Sequence, residues 1–141
     1  MFRKKKISIV SSCYNEENNL KELYEQVKVQ MEKFSDKYSY EQIIADNCST
    51  DGSVKILREL AKEDKRLKVI LNARNFGHIR SPYNAMVSAN ADAVIYLASD
   101  LQDPPELIGE FIKKWEEGSK IIAGVKNHSK ENFSKNFFSI A

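Results

Sequence analysis

Four carboxylates are the residues of this sequence with the clearest capacity for chemistry. Asp46 and Asp51 lie in one turn-rich segment, and Asp100 and Asp103 lie in another. Clustered carboxylates repel each other unless a cation or hydrogen-bond donors compensate their charge. Mg²⁺ and Mn²⁺ commonly take one or two protein carboxylates, with phosphates and water completing the shell. The pattern therefore predicts a divalent-metal site for a phosphorylated ligand. The alternative is that these residues cap helices and form Asx turns.

Hydrophobic periodicity predicts the elements that position these segments. Strands are expected at 7–10, 42–45, 67–71, 93–98 and 120–125. Helices are expected at about 20–31, 54–64, 83–91 and 104–115, with a polar loop at 72–82. This alternation predicts an α/β fold, a Rossmann-like, mostly parallel sheet with helices on both faces. The 93–98 strand is the most apolar, as expected when helices cover both of its faces.

The polar, turn-rich segments follow predicted strands and therefore share one edge of the sheet. They are 13–17, 46–53 and 99–105. Ligands of open parallel sheets bind beyond the carboxyl ends of the strands, so this edge is the predicted site. Arg74 and Arg80 flank His78 in a further segment that could meet phosphate oxygens, the alternative being a solvated loop. Neither GxGxxG nor GxxxxGK[ST] occurs, which disfavours dinucleotide-linked oxidoreductases and P-loop enzymes.

Composition and charge are those of a soluble globular domain. The 141 residues suffice for one domain core, and 42% of them are hydrophobic. The 22 basic and 20 acidic residues leave a net charge of +2, so no global field favours nucleic acid as a partner. The basic run at 3–6 is interpreted as a solvated leader, with a contact to anionic lipid headgroups as the alternative. Cys13 and Cys48 lack CxxC spacing, which is typical of reduced thiols in a cytoplasmic protein.

Four motifs, in order along the chain, resemble those of family-2 glycosyltransferases with the glycosyltransferase A-type fold. The likeness is strongest to the branch similar to dolichol-phosphate mannose synthase and bacterial polyprenyl-phosphate sugar transferases. CYNEE at 13–17 resembles the family's opening YNEE, and DNCSTDGS at 46–53 resembles its DDGSTDGS. RNFGH at 74–78 and DLQDPPE at 100–106 match the family's own sequences at these places. The likeness extends over nearly the whole chain.

The resemblance implies an inverting transfer of a sugar from a UDP- or GDP-sugar, with a polyprenyl phosphate as the acceptor and Mg²⁺ or Mn²⁺ on the diphosphate. It assigns the metal to Asp100 and Gln102, and the catalytic roles to Asp100 and Asp103. It implies a cytoplasmic protein, located at the inner face of the membrane in its full-length form. The nucleotide sugar is assigned to Cys13, Tyr14, Asn15, Glu16, Asp46, Asn47, Asp51, Arg74, Asn75, Gly77 and Asp100.

Three positions depart from the family pattern. Ala98 stands where the family has the first acid of a DxD motif that ends at Asp100, so one expected metal or ribose contact is missing. Asn47 replaces the second acid of the DD pair, which keeps an acceptor oxygen and loses charge. Ser12 stands where proline is common. Ala98 motivates an alternative, a nucleotide-sugar-binding protein without turnover; a scaffold or interaction module that retains the fold is a third hypothesis.

The sequence predicts a domain boundary near residue 126. Residues 1–126 are expected to form the nucleotide-sugar-binding glycosyltransferase domain. Residues 127–141 carry four apolar side chains at nearly helical spacing, Phe133, Phe137, Phe138 and Ile140. This spacing predicts the start of an amphipathic helix that is truncated at the end of the chain. The family continues with an acceptor-side half and, in this branch, membrane helices.

Overall fold

Strands and helices alternate along residues 3–125 and 136–140, the part of the chain that a computed structural model describes. In chain order the elements are β1 (Lys5–Cys13), α1 (Leu20–Glu32), β2 (Tyr38–Asp46), α2 (Ser53–Glu63), β3 (Leu67–Leu71), α3 (Gly77–Val87), β4 (Ala93–Tyr96), α4 (Leu107–Glu116), β5 (Ile121–Val125) and β6 (Asn136–Ile140). They form two compact units, one that ends at Pro105 and one that begins at Glu106. Within the described residues, every helix is too short or too polar to cross a membrane.

The first unit is built on a four-stranded parallel sheet in the order β3-β2-β1-β4. Its central pair, β1 and β2, runs in register from Lys5 opposite Tyr38 to Cys13 opposite Asp46. Because all four strands run in the same direction, their carboxyl ends meet at one edge. The predicted α/β fold with a mostly parallel sheet is confirmed.

Helices cover both faces of this sheet. Ala85 of α3 is fully buried and packs against Val10 and Ile43. Side chains alternate along a strand, so Ile9 and Ile44 point to the opposite face, where they are also fully buried. That second face is covered by α1 and α2, which contact each other and β2. The fold thus fixes α3 on one face and directs its amino-terminal end toward the predicted site.

The edge strand β4 is less covered than its sequence suggests. Val94 and Tyr96 are 41% and 38% exposed, whereas Ile95 between them is 9% exposed. In the first unit α3 lies over β1 and β2 and leaves this face of β4 open. The expectation that helices cover both faces of the 93–98 strand is therefore wrong for this unit. An apolar sequence reports the capacity for burial and does not reveal the position of a strand in its sheet.

Helix α3 begins at Gly77, six residues before the predicted start at residue 83. Gly77 has a φ of +83°, which glycine adopts without steric cost. Its N–H donates to Asn75 Oδ1 at 2.8 Å, and the N–H of Phe76 donates to Asn47 Oδ1 at 2.8 Å. The helix also continues through Pro82, which removes one backbone hydrogen bond. The contact from Asn47, directly after β2, therefore determines where α3 begins, and the sequence around residue 77 contains no signal for it.

The second unit contains α4 and an antiparallel pair, β5 and β6. The pair runs from Ile121 opposite Ile140 to Val125 opposite Asn136. The helix predicted over 127–141 is therefore wrong for 136–140, where the backbone forms ladder bonds with β5; a few apolar residues cannot distinguish a helical from an extended period. Residues 127–135 of that prediction lie outside the described residues. The domain boundary near residue 126 stays a prediction.

Candidate functional site

A cavity of about 330 Å³ opens at the carboxyl edge of the parallel sheet. This volume is at the lower end of the range of small-molecule sites. The lining comes from the ends of β1, β2 and β4 and from the start of α3: Ser12, Cys13, Tyr14, Asn47, Asn75, Gly77, His78, Pro82 and Tyr96. The structure thus brings together five of the predicted nucleotide-sugar residues: Cys13, Tyr14, Asn47, Asn75 and Gly77.

One wall of the cavity is organised by the side chain of Asn47, a residue that is 5% exposed. Its Nδ2 donates to Asn75 Oδ1 at 2.9 Å and to the carbonyl oxygen of Gly77 at 3.3 Å. Its Oδ1 accepts from the N–H of Phe76 at 2.8 Å and from Asn72 Nδ2 at 3.2 Å. An amide has two donor hydrogens and two acceptor lone pairs, and all four are used here. An aspartate could not make the two donations, so the observed set of bonds depends on an amide at this position.

Cys13 and Asp46 are register partners at the ends of β1 and β2. Asp46 is 1% exposed; its Oδ2 accepts the N–H of Ser49 at 2.9 Å, and Cys13 Sγ donates to its Oδ1 at 3.6 Å. Burial, and then the neighbouring Asp46, raise the pKa of the Cys13 thiol well above its ordinary value. The thiol is therefore a neutral donor near pH 7. Asp46 forms a turn, as the alternative interpretation holds, and its contact with the nucleotide base stays a prediction.

Hydrogen bonds join the loop after β1 to the loop after β2. We call this set the clamp, and its residues are 15–17 and 49–53. The N–H groups of Asn15 and Glu16 donate to Ser49 Oγ at 2.9 Å and Ser53 Oγ at 3.0 Å. In return, the N–H of Thr50 donates to Asn15 Oδ1 at 2.8 Å. Because each loop satisfies polar groups of the other, neither conformation is independent of its partner.

The second half of the clamp is centred on Glu17. Its Oε2 accepts the N–H of Gly52 at 2.6 Å, and its own N–H donates to Asp51 Oδ2 at 3.2 Å. Burial alone would raise the pKa of Asp51, but hydrogen bonds from Ser53 and Glu17 lower it below its ordinary value. The predicted binding residues Asn15, Glu16 and Asp51 thus belong to the clamp, and the cavity lining does not include them. Their contacts with a nucleotide stay predictions.

Left-handed backbone conformations occur in all three loops at this edge. Among the described residues, the non-glycine positions with positive φ are Asn15 (54°), Cys48 (66°) and Leu101 (61°). Such conformations cost on the order of 1–3 kcal/mol each and cluster at functional sites. Asparagine adopts this region most readily of the three, and leucine has no local hydrogen bond to favour it. Their confinement to the three loops supports the placement of the site at this edge.

The segment after β4 presents the predicted metal residues. Asp100 is exposed, and its Oδ1 accepts the N–H of Gln102 at 3.1 Å. The buried Ser99 donates from Oγ to the carbonyl oxygen of Ser12 at 2.9 Å, which ties this segment to the end of β1. Burial raises the pKa of Tyr96, and the nearby Asp103 and Asp100 raise it further. Both carboxylates therefore act electrostatically on Tyr96, which lines the cavity.

The donor atoms of this segment fit a metal ion whose other ligands are phosphate and water oxygens. Within the described residues there is no group of three or more histidine, cysteine, aspartate or glutamate side chains that could hold an ion. Asp100 and Gln102 offer one carboxylate and one amide oxygen. Mg²⁺ is commonly bound through one or two carboxylates with phosphate and water oxygens, and such a set does not need a third protein acid.

Sequence reasoning missed part of the cavity lining, and the phosphate contact predicted for Arg74 stays a prediction. Ser12, Pro82 and Tyr96 line the cavity without having been predicted as binding residues. For Tyr96, the available signal was its position at the end of a strand, four residues before Asp100. Arg74, predicted as a phosphate contact, does not line the cavity; its guanidinium lies 4.8 Å from the centre of the Phe76 ring.

Comparison with known proteins identifies the family of the chain that carries this site. A sequence model described as "Glycosyl transferase family 2" matches residues 8–139. "Uncharacterized glycosyltransferase YkcC" of Bacillus subtilis is 40% identical over 136 residues, which are 96% of this chain and 42% of that protein. "Undecaprenyl-phosphate 4-deoxy-4-formamido-L-arabinose transferase" of Proteus mirabilis is 34% identical over 128 residues, 90% of this chain and 38% of that protein. The chain thus spans about two fifths of the length of these relatives.

The solved structures agree at the level of the fold. Mannosyltransferase PcManGT from Pyrobaculum calidifontis, in complex with GDP-Man and Mn²⁺, superposes with a TM-score of 0.72 over 89% of this chain and 36% of its own, at 19% sequence identity. At that identity the likeness concerns the fold, which is the glycosyltransferase A-type. Since the family match covers nearly the whole chain, the chain belongs to glycosyl transferase family 2.

Proposed function

We propose that this chain supplies the donor-binding part of an inverting glycosyltransferase that uses a UDP- or GDP-sugar. The observation that carries the proposal is the cavity at the carboxyl edge of the sheet, which Asn47, Asn75 and Tyr96 line. Asp100 and Asp103 lie in the segment that follows β4, the strand of Tyr96. An aromatic and amide-lined pocket suits a nucleobase and ribose. The adjoining acids suit a metal-bound diphosphate.

The residues divide into three roles. Cys13, Tyr14, Asn47, Asn75 and Gly77 contact the nucleotide directly. Asn15, Glu16 and Asp51 hold the base-side loops through the clamp, and Asp46 supports the turn that begins the second loop. The amino-terminal end of α3, with Arg74 nearby, favours the negative charge of phosphate groups.

Asp100 and Gln102 would hold Mg²⁺ or Mn²⁺ together with oxygens of the diphosphate. The ion supplies charge neutralisation for the departing nucleoside diphosphate. The Mn²⁺ and GDP-Man of the mannosyltransferase from Pyrobaculum calidifontis support this choice of ligands. Asp100 and Asp103 act on the reaction by orienting the sugar and diphosphate in the cavity mouth.

The acceptor in this proposal is a polyprenyl phosphate at the cytoplasmic face of a membrane, as the name of the Proteus mirabilis relative suggests. One oxygen of its phosphate forms a bond to C1 of the sugar while the bond from C1 to the nucleoside diphosphate breaks. The electron pair leaves with the diphosphate, and the configuration at C1 inverts. The attacking oxygen is already anionic, so alignment and electrostatic stabilisation replace a strong general base.

A second candidate is a protein that binds a nucleotide sugar without turning it over. Ala98, in place of the first acid of the DxD motif, favours it because one contact to the metal or ribose is lost. A scaffold that retains the fold without a ligand is the third candidate. These candidates differ in whether donor binding and transfer occur, so they can be separated by measurement.

Calorimetric titration with UDP- and GDP-sugars, with and without Mn²⁺, tests the proposal. We expect binding that is strengthened by the metal, and absence of binding to every donor would leave only the scaffold. Transfer to a polyprenyl phosphate would eliminate the binding-only candidate. Ala98→Asp should tighten the affinity for Mn²⁺, whereas the control Ala91→Asp, at the opposite edge of the sheet, should not. An unchanged affinity in Ala98→Asp would contradict the placement of the metal.

A further inference from the structure

The outer face of α3 is an exposed apolar stripe. Ile79, Tyr83 and Val87 are 72%, 64% and 60% exposed, and their spacing of four residues places them on one side of the helix. The opposite side of α3 carries Ser81 and Ala85, which are buried toward the sheet. The stripe therefore points away from the sheet of the first unit. Large apolar side chains grouped in this way usually mark a binding surface.

The charged residues of the chain segment that carries this stripe have one sign. Between Leu71 and Asp92 the sequence contains Arg74 and Arg80 and no aspartate or glutamate. Both arginines are exposed, and the guanidinium of Arg74 lies against the ring of Phe76. Arginine next to exposed aromatic and aliphatic side chains suits a binding partner whose surface is anionic and whose interior is apolar.

We propose that this face of α3, formed by Phe76, Ile79, Arg80, Tyr83 and Val87, docks on an anionic lipid bilayer. The aliphatic side chains would enter the boundary between headgroups and acyl chains. Tyrosine is favoured at that depth because its ring is apolar and its hydroxyl is polar. The Arg80 guanidinium would remain at the level of the headgroup phosphates, to which it donates hydrogen bonds.

Charge argues against a second copy of this chain as the occupant. A symmetric self-contact centred on this face would bring Arg80, near the middle of the face, close to Arg80 of the other copy. The face has no carboxylate to compensate them, so the contact would carry like-charge repulsion. A bilayer that contains anionic lipid supplies the opposite charge over the whole face.

Docking in this way would place the cavity next to the lipid surface. Gly77, His78 and Pro82 of the same helix line the cavity. A phosphate carried by a membrane lipid would therefore have a short path to the donor site. This consequence depends on the proposed function, whereas the docking itself does not.

Flotation of the 141-residue chain with lipid vesicles tests the docking. We expect it to bind vesicles of phosphatidylcholine with phosphatidylglycerol, to bind vesicles of phosphatidylcholine alone more weakly, and to be released by salt. The triple variant I79S/Y83S/V87S should lower the apparent vesicle affinity at least about tenfold, because it removes most of the apolar area that enters the bilayer. The control Val29→Ser, at an exposed valine of α1, should leave the affinity unchanged.

A charge variant separates the electrostatic from the apolar contribution. Arg80→Glu should lower the affinity for the anionic vesicles about fivefold or more. Lys62→Glu, an exposed lysine of α2, is its control and should have a much smaller effect. Circular dichroism with thermal melting verifies that each variant is folded, which is expected because all the substituted side chains are exposed.

Three results would overturn the docking: no preference for anionic vesicles, undiminished binding by the triple variant, or equal effects of the two charge variants. Sedimentation that shows a dimer abolished by I79S/Y83S/V87S, with vesicle binding unchanged, would assign the face to a second copy. Vesicle binding by a chain that binds no nucleotide sugar would support the docking and contradict the proposed function. The two proposals thus fail separately.

Discussion

Two parts of the candidate site are held in different ways: the base side, named for its proposed role and formed by the clamp and the wall around Asn47, and the acid side, formed by residues 99–103. In the clamp and in the wall around Asn47, side chains bond to backbone groups 25 or more residues away in the sequence. In the segment after β4, Ser99 makes one such distant bond, to the carbonyl oxygen of Ser12. The carboxylate of Asp100 bonds to the N–H of Gln102, two residues away, and remains exposed. The base side is therefore preorganised by contacts between distant segments, whereas the exposed Asp100 carboxylate of the acid side is held by a local contact.

Asn47→Asp is the substitution expected to break the preorganised side most severely. It would replace two donated hydrogen bonds with contacts between oxygens and leave a nearly buried charge, at a cost of about 3 kcal/mol in the free energy of unfolding. Urea denaturation measures that cost, and calorimetry should show loss of donor binding. Asn84→Asp, at an exposed position of α3, is the matched control. If Asn47→Asp were as stable as the control, the wall would not depend on the amide.

A substitution of Glu41 tests whether the stability of the fold and the binding of the donor depend on different ends of β2. It lies in β2, six residues before Asn47, and forms ion pairs with Lys6 and Lys68. Burial would raise its pKa, but hydrogen bonds from Lys6, Lys68 and Ser8 prevail and lower it from 4.5 to about 2. Its folded pKa is depressed, so its stabilising contribution is present above pH 4.5 and is lost as the pH falls toward 2.

Glu41→Gln should therefore lower the free energy of unfolding by about 2 kcal/mol at pH 7 and flatten its dependence on pH between 4.5 and 2. Donor affinity at pH 7 should not change, because Glu41 lies away from the cavity. Glu59→Gln, an exposed residue of α2, is the control. Denaturation at several pH values measures the effect, and reduced donor binding in the folded variant would show that the two ends of β2 are coupled.

Gly52→Ala examines the clamp alone. Its added Cβ would lie 2.5 Å from Glu17 Oε2, so the carboxylate must move and weaken its bond to the Gly52 N–H. We expect a loss of about 1 kcal/mol in stability. In a Glu17→Ala background the same change should cost much less, because the obstructing group is gone. Equal costs in both backgrounds, measured by denaturation, would contradict a clamp centred on Glu17.

Asp100→Ala should have the smallest effect on the fold. Since Asp100 is exposed, we expect the free energy of unfolding to change by less than about 0.5 kcal/mol. The increase in donor affinity caused by Mn²⁺ should nevertheless disappear. Asp36→Ala, also exposed, should keep that increase. Calorimetry with and without Mn²⁺ decides, and a large loss of stability would show that the acid side is as firmly built as the base side.

The sequence predicts the bounds of an element well where neighbouring residues determine them. The strand at 67–71 matches β3, and the helix predicted at 54–64 differs from α2 by one residue at each end. The start of α3 was missed because Asn47, about 30 residues away, arranges the backbone at Phe76 and Gly77. The spacing of apolar residues predicts a helix at the position of β6 because it carries no sign of the pairing with β5.

The candidate site was predictable by location more than by role. The rule that ligands bind beyond the carboxyl ends of parallel strands located the cavity, and Cys13 and Tyr14 line it. Asn15 and Asp51 have the residue types of ligands, yet the structure shows them in bonds between loops. Sequence identifies a polar side chain, whereas its partner depends on which loops the fold brings together.

Amide chemical-shift mapping with UDP and GDP in the presence of Mg²⁺ tests the central claim most directly. A preorganised base side predicts the largest shifts at residues 12–14, 47 and 75–78, with the clamp nearly unmoved and residues 99–103 shifting only when Mg²⁺ and a diphosphate are both present. Largest shifts outside these residues would contradict the placement of the site. Rearrangement of the clamp on binding would contradict its preorganisation.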